Sequence, residues 1–197
     1  MILLFFKAQK LQIPFMLSKD DKLLLNKGIQ YQFSKDFVNA ESIFLKLNEK
    51  YKQDFHINFL LGFLYLNIKK YKTALIYLLK ANKTNSIDYN CNYHIALCYQ
   101  KLKKIVLAIE YYKHAISIKS TDVIVHLKIA ECYKSIKKIH EAKKHYEKTL
   151  LLDNKNEIGN WKYGELLIKE GDLKKGLHYI KNATGFIKFD STRYSYE

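Results

Sequence analysis

Proline, glycine, arginine and cysteine are all scarce in this chain of 197 residues. There are one Pro, seven Gly and three Cys, and Arg193 is the single arginine among 34 basic residues. So little Pro and Gly leaves few residues for tight turns, which argues against an all-β sandwich or barrel. Three cysteines are too few, and odd in number, for a secreted disulfide framework, so we expect a reducing, cytoplasmic setting.

The apolar content excludes a disordered chain. Hydrophobic residues make up 48% of the sequence and aromatic residues 14%, which is enough to build a core. The formal charge of +15 comes almost entirely from lysine. Because Asn, Ile and Tyr are also abundant, we interpret the lysine excess as the compositional drift of an AT-rich genome. Charge alone therefore says little about function.

Residues 1–20 form an N-terminal leader that is largely apolar. The apolar run Met1–Phe6 comes before Lys7 and Lys10, whereas a signal peptide carries its positive charge first. No stretch reaches the roughly 20 apolar residues that a bilayer requires. We interpret the protein as soluble, with Met16 as a candidate start that would make residues 1–15 an upstream extension. The alternative is an amphipathic segment that packs on the first repeat or on a membrane surface.

Four series of residues recur at intervals of 34 positions, which predicts an array of structural repeats. Two series contain small residues, one is largely tyrosine, and one is bulky throughout. Four series in one register indicate five copies of the same unit. The members are Gly28, Gly62, Ala96, Ala130 and Gly164; Ala40, Ala74, Ala108, Ala142 and Gly176; Tyr31, Tyr65, Tyr99, Tyr133 and Leu167; and Phe44, Leu78, Tyr112, Tyr146 and Ile180.

These spacings predict two antiparallel helices in each repeat. The small residue of the first helix lies where the second helix must approach closely, and the small residue of the second helix lets the next repeat dock. Asp or Asn also recurs before each first helix, as expected for N-caps. The predicted caps are Asp20, Asp54, Asp88, Asp122 and Asn156. The repeats span 21–54, 55–88, 89–122, 123–156 and 157–190, and 191–197 would be the stub of a capping or sixth-repeat helix.

Residues 21–190 resemble the tetratricopeptide repeat family, whose 34-residue unit carries small and aromatic residues at these positions. The resemblance implies an all-α fold, a right-handed superhelical solenoid of antiparallel helix pairs. The early Trp of the family is missing, although Trp161 falls one residue later. The Pro near the end of each unit is also missing, so we expect the second helix to run on or fray there. Its places hold Lys52, Ser86, Ser120, Asn154 and Lys188.

The resemblance also implies that first helices line a concave groove, which holds a peptide or a segment of a partner. The corresponding positions are apolar in repeats two and three and of mixed charge in repeats four and five. An alternative is that the protein's own N-terminal segment covers the apolar residues Phe59, Phe63, Tyr93 and Leu97. The predicted groove residues are Phe59, Phe63, Leu66, Tyr93, Leu97, Glu131, Trp161 and Glu165.

Two other binding modes of such repeats are not favoured. The carboxylate clamp that grips chaperone C-termini is absent, because Leu25, Ile29, Leu60, Asn90 and His94 stand in its places. Lysines at the turn inside repeats one to four predict a basic ridge, which Gly171 and Asp172 interrupt in repeat five. A solvated lysine surface is the preferred interpretation over nucleic acid or anionic membrane, since arginine is almost missing. The ridge lysines are Lys35, Lys69, Lys70, Lys103, Lys104, Lys137 and Lys138.

No motif for catalysis, a metal or a cofactor is found. Cys91, His94 and Cys98 share one helix face, but no CxxC pair accompanies them and structural zinc sites usually have four ligands. Cys98 and Cys132 stand at equivalent interior positions of adjacent repeats, so we expect them to fill the core. His140 and His145 do not reproduce the HExxH spacing, and we expect both at the surface. No Gly-rich phosphate loop or GxSxG elbow occurs.

We therefore predict a non-catalytic scaffold that binds a protein or peptide partner in the cytoplasm, with no cofactor and no metal. The alternative is that these repeats are part of a larger enzyme, of the transferase or oxygenase type, whose catalytic domain lies elsewhere. A third hypothesis is a basic adaptor at an anionic membrane or on RNA, which the salt dependence of binding would test.

Overall fold

The computed structural model describes residues 17–184, and within that range it contains ten helices and no strand. Every connection between consecutive helices is short. The helices are α1 Lys19–Phe33, α2 Phe37–Lys50, α3 Phe55–Asn67, α4 Tyr71–Thr84, α5 Tyr89–Lys101, α6 Ile105–Ile118, α7 Val123–Ser135, α8 Ile139–Leu152, α9 Glu157–Lys169 and α10 Leu173–Thr184.

The chain divides into two compact parts. The N-terminal part, within residues 1–118, contains the helix pairs α1/α2, α3/α4 and α5/α6. The C-terminal part, within residues 119–197, contains the pairs α7/α8 and α9/α10. In each pair the two helices pack along each other after a tight turn, so they run antiparallel. The predicted all-α fold of helix pairs is confirmed.

The predicted N-caps are confirmed at four of five first helices. The side chains of Asp54, Asp88, Asp122 and Asn156 each accept a hydrogen bond from the backbone N–H three residues later. Such a cap contributes about 0.5–2 kcal/mol. The prediction is wrong for Asp20, because α1 already begins at Lys19 and its cap is Ser18.

Small residues of the first helices let the two helices of a repeat approach closely. A Cβ atom on Gly62 would lie only 2.5 Å from Cγ of Leu78 in α4, which is closer than real side chains come. Ala96 and Ala130, at the equivalent positions of the next two repeats, are completely buried. The bulky partners that fill this space, among them Tyr112 and Tyr146, are completely buried as well. The core of each repeat is therefore formed as the 34-residue series predict.

Gly176, the small residue of the fifth second helix, contacts the first helix of its own repeat. A Cβ atom there would lie 2.4 Å from Cγ1 of Ile168 and 2.8 Å from the carbonyl oxygen of Gly164, both in α9. Gly176 thus lets α10 approach the first helix of its own repeat. The predicted docking contact with a following repeat would involve residues after 184, which lie outside the described range.

Four second helices neither run on nor fray where the family has proline, and the fifth such position, Lys188, lies outside the described residues. These four end two residues before that position, at Lys50, Thr84, Ile118 and Leu152. A buried amide holds the turn instead. The side-chain nitrogen of Asn58 donates to the carbonyl oxygen of Lys52 at 2.9 Å. Asn92 and Asn160 make the same bond to Ser86 and Asn154 at 2.8 and 2.9 Å.

The turn inside each repeat is closed by one residue in the left-handed conformation. It is a lysine in repeats one to four and Gly171, with φ of 86°, in repeat five. A turn of this kind at a helix C-terminus usually contains glycine, because a side chain raises the energy of the left-handed conformation. All seven lysines of the predicted ridge are exposed. The left-handed lysines are Lys35, Lys69, Lys103 and Lys137, with φ between 60° and 63°.

Candidate functional site

The side of α3 that contains the predicted groove residues Phe59 and Phe63 carries a row of three phenylalanine rings. Phe55, Phe59 and Phe63 follow each other at intervals of four residues, so they share one side of the helix. The rings of Phe55 and Phe59 have centroids 5.9 Å apart, and those of Phe59 and Phe63 lie 6.4 Å apart and parallel. Phe59 is buried, whereas Phe63 is half-buried. The whole of α3 contains no Asp, Glu, Lys or Arg.

His94 of α5 packs against this row. Its ring centroid lies 5.8 Å from that of Phe59 and 5.1 Å from that of Phe63. Only 8% of His94 is exposed, and neither ring nitrogen has a hydrogen-bond partner among the described residues. Burial lowers the pKa of His94 from 6.5 to about 4. The imidazole is therefore neutral at physiological pH and packs with the two phenylalanine rings as an uncharged ring.

Two tyrosines continue the aromatic surface along α5. Tyr89 and Tyr93 stack with ring centroids 6.3 Å apart, and Tyr93 also contacts the buried ring of Tyr112 at 5.8 Å. Tyr93 is half-buried, as are Leu66 and Leu97. We name this surface the aromatic face; it is formed by Phe55, Phe59, Phe63, Tyr89, Tyr93 and His94.

The first helices of the C-terminal part carry charges instead. Each of two glutamates lies between two lysines, and one ion pair of each set connects α7 with α9. Glu131 contacts Lys162 of α9 at 2.9 Å and Lys128 of its own helix at 3.2 Å. Glu165 contacts Lys134 of α7 at 3.1 Å and Lys169 at 3.3 Å. We name this surface the lysine–glutamate face; it is formed by Lys128, Glu131, Lys134, Lys162, Glu165 and Lys169.

The lysines keep both glutamates ionised. Burial by itself would raise the pKa of Glu131, but the hydrogen bond from Lys162 and the charge of Lys128 outweigh it and lower that pKa. For Glu165 the hydrogen bond from Lys134 is the largest influence, and its pKa is lowered too. One turn before these charges lie Ile124 and Ile158, which are 58% and 57% exposed.

The predicted groove residues thus fall into two sets. Phe59, Phe63 and Tyr93 lie on the aromatic face of the N-terminal part. Glu131 and Glu165 lie on the lysine–glutamate face of the C-terminal part, and the half-buried Trp161 lies on α9. The alternative in which the N-terminal segment covers the apolar set concerns residues 1–16, which lie outside the described range.

The cysteines lie in the core. Cys91, Cys98 and Cys132 are completely buried free thiols, and burial raises the pKa of each to about 12. Thiols of this kind are poor nucleophiles, because the reactive species is the thiolate. Within residues 17–184 no three His, Cys, Asp or Glu side chains come together as a metal site.

The sequence does not predict one pair of histidines that lie in contact. His140 is exposed as expected, but His145 is half-buried, and its Nδ1 lies 3.1 Å from Nδ1 of His126. His126 stands at the position of Asn58, Asn92 and Asn160, with Nε2 3.1 Å from the carbonyl oxygen of Ser120. The expectation of a surface position is wrong for His145. The 34-residue spacing of His126 from Asn92 and Asn160 is the sequence feature that indicates its position at the turn.

These features define a helical repeat protein made of stacked helix pairs. The sequence model of the tetratricopeptide repeat family matches residues 55–87, 89–122 and 124–156, together just over half of the chain. The chain belongs to the tetratricopeptide repeat family. No curated protein sequence matches it significantly. None of the helices within residues 17–184 combines the length and the hydrophobicity that a membrane-spanning segment needs.

Several solved structures share the fold. A structure described as MamA 41-end from Desulfovibrio magneticus RS-1 has a TM-score of 0.81 and 15% sequence identity, covering 85% of this chain and 95% of that one. A MamA crystal structure has a TM-score of 0.80 and 18% identity, with coverage of 86% and 92%. YrrB, described as a TPR protein with an unusual peptide-binding site, has a TM-score of 0.74 and 17% identity, with coverage of 82% and 84%.

Proposed function

We propose that the chain is a non-catalytic interaction scaffold of the cytoplasm, which binds a peptide or a segment of a partner protein on the faces of its first helices. The observation that carries the proposal is the aromatic face. It combines stacked rings with a helix that has no charged residue. Aromatic side chains are enriched among the residues that dominate binding energy.

The structure of the repeat supports this role. Phe59 and His94 are buried and form a floor, while Phe63, Tyr93, Leu66 and Leu97 are half-buried and available at its surface. Ring-to-ring packing fixes these side chains before a partner arrives. A bound segment therefore loses mainly its own conformational freedom, which preserves affinity. YrrB provides a precedent within the same fold, since it is described as a peptide-binding TPR protein.

The test is a peptide selection followed by measured affinities. Peptides are selected from a random library with the full chain as bait, and the Kd of the best one is measured by calorimetry. We expect Phe63→Ala with Tyr93→Ala to weaken binding at least about tenfold, because truncating an interface aromatic often costs more than 1 kcal/mol. Circular dichroism should show unchanged helicity.

The matched control is Val106→Ala, which removes an exposed apolar side chain from the second helix α6. It should leave the Kd unchanged. Equal affinity of the double variant and the wild type would move the site away from the aromatic face.

The alternative of a repeat region within a larger enzyme stays a prediction that the downstream reading frame of the gene tests.

A further inference from the structure

The lysine–glutamate face is a continuous surface of two neighbouring helices. The contacts from Lys162 to Glu131 and from Lys134 to Glu165 each join α7 to α9. The two helices therefore present these side chains next to each other. All four residues are only partly exposed, so their charges are less screened than those of a fully solvated surface.

The hydrogen-bonding capacity of this face is unbalanced. Both carboxylate oxygens of Glu131 are already in contact with an ammonium group, and the same is true of Glu165. Each lysine has three N–H donors, so the four lysines retain donors that the two glutamates cannot satisfy. Four lysines against two glutamates also leave two positive charges. The complement of such a surface is a group that brings negative charge and acceptor oxygens.

Apolar surface lies beside the charges. Ile124 and Ile158 are more than half exposed, and each precedes a lysine of the face, Lys128 or Lys162, by four residues. Four residues make about one helical turn, so an isoleucine and its lysine lie roughly 6 Å apart. An extended peptide covers that distance with about two residues. A fitting ligand would thus carry an apolar side chain and, two or three residues away, a carboxylate.

We propose that the face formed by α7 and α9 docks a partner segment in which apolar residues alternate closely with acidic ones. This inference rests on the proposed function, because it assigns a partner chemistry to one of the first-helix faces. A peptide fits better than a nucleic acid. The two glutamates would repel a continuous phosphate backbone, and the exposed isoleucines have no role in binding one.

The experiment uses the full chain and three fluorescein-labelled dodecapeptides, measured by fluorescence anisotropy. The first repeats Leu-Leu-Glu-Glu, the second has Gln in place of Glu, and the third has Lys. We expect the Glu peptide to bind at least about tenfold more tightly than the Gln peptide. The reason is that the Gln peptide loses several partly desolvated charge contacts with the lysines. The Lys peptide should not bind. Equal binding of the Glu and Gln peptides would overturn the proposal.

Variants locate the binding site. Lys128→Gln with Lys162→Gln should weaken binding of the Glu peptide about fivefold or more. Lys144→Gln with Lys148→Gln is the matched control, because it removes the same charge from exposed positions of α8, and it should change the Kd less than twofold. Equal losses in both double variants would show attraction to net charge only and would overturn the proposal.

A second pair of substitutions protects the test against misfolding. Ile124→Ser with Ile158→Ser changes only exposed side chains and should also weaken binding of the Glu peptide.

Tighter binding of a twelve-nucleotide single-stranded RNA or of phosphatidylserine vesicles would overturn the proposal in favour of those ligands, if that binding is lost in Lys128→Gln with Lys162→Gln. If library-selected peptides bind but the Glu and Gln peptides do not differ, this inference alone fails. If no peptide binds at all, the proposed function fails with it.

Discussion

The first helices of repeats two and three and those of repeats four and five occupy equivalent places in one 34-residue pattern, but their faces differ in chemistry. Two series of positions show the change from apolar to charged residues. One series reads Phe63, Leu97, Glu131 and Glu165, and the other reads Leu60, His94, Lys128 and Lys162.

This difference shows which positions the repeat fold restricts. The small residues Ala96 and Ala130 are completely buried in both regions, because the second helix of each repeat packs against them. The positions of Phe63, Leu97, Glu131 and Glu165 are only half-buried, so their chemistry is freer to vary between repeats. A repeat array can thus keep one core and present two different binding surfaces.

The largest expected difference is in pH dependence, and it comes from His94 on the aromatic face. The pKa of His94 is about 4 in the folded chain, against 6.5 when solvated. Below pH 6.5 the unfolded chain therefore binds a proton that the folded chain does not, and the free energy of unfolding decreases as the pH falls. From pH 7 to pH 5 this one group should lower the free energy of unfolding by about 2 kcal/mol.

His94→Leu, which introduces the residue found at Leu60, should remove that part of the pH dependence. Thermal melts followed by circular dichroism at pH 7 and pH 5 measure it. The control is His140→Gln, since His140 is exposed. The lysine–glutamate face should add little loss in this window, because a solvated glutamate has a pKa of 4.5 and the pKa values of Glu131 and Glu165 are lower still. Both groups are therefore largely ionised in the folded and the unfolded chain down to about pH 5. A pH profile of His94→Leu identical to that of the wild type would contradict the assignment.

The next prediction tests whether the two regions have the same core. Ala96→Leu and Ala130→Leu should each lower the free energy of unfolding by about 1–3 kcal/mol through overpacking. The costs should be similar, because both alanines are completely buried against a second helix. Urea denaturation measures both. Val106→Leu, at an exposed position of α6, should have almost no effect. An unchanged denaturation curve for either alanine variant would contradict the helix-pair register.

Much of the fold could be predicted because it depends on a local period. The small residues, the bulky residues and four of the five N-caps follow from the 34-residue series. Two further features follow the same period. The amides of Asn58, Asn92 and Asn160 hold the turns that lack proline. The last member of the series of left-handed residues is Gly171. A glycine at this position indicates a left-handed backbone, and the four equivalent lysines share it.

The side-chain geometry of the faces could not be predicted in the same way. His126 and His145 lie 19 residues apart on two helices, and no period connects them. The ion pairs of Glu131 and Glu165 depend on how two helices lie beside each other and on the rotamers of long lysine side chains. A single sequence restricts neither. It predicts Glu131 and Glu165 as groove residues but not their ion pairs.

The smallest expected difference concerns two tyrosines at equivalent core positions, Tyr112 in repeat three and Tyr146 in repeat four. Both are completely buried. The hydroxyl of Tyr112 donates to Oε1 of Gln100 at 2.9 Å. The hydroxyl of Tyr146 has no partner among the described residues, and the position equivalent to Gln100 is Lys134, which contacts Glu165.

Tyr112→Phe should therefore lower the free energy of unfolding by about 1 kcal/mol, because it removes a net-favourable hydrogen bond. Tyr146→Phe should leave it unchanged or raise it by up to about 1 kcal/mol, because it removes a buried hydroxyl without a partner. The measurement is the urea midpoint of each variant, compared at an unchanged m-value. Equal losses in the two variants would show that the Tyr146 hydroxyl is bonded in solution. The cores of the two regions would then be as alike in polarity as they are in packing.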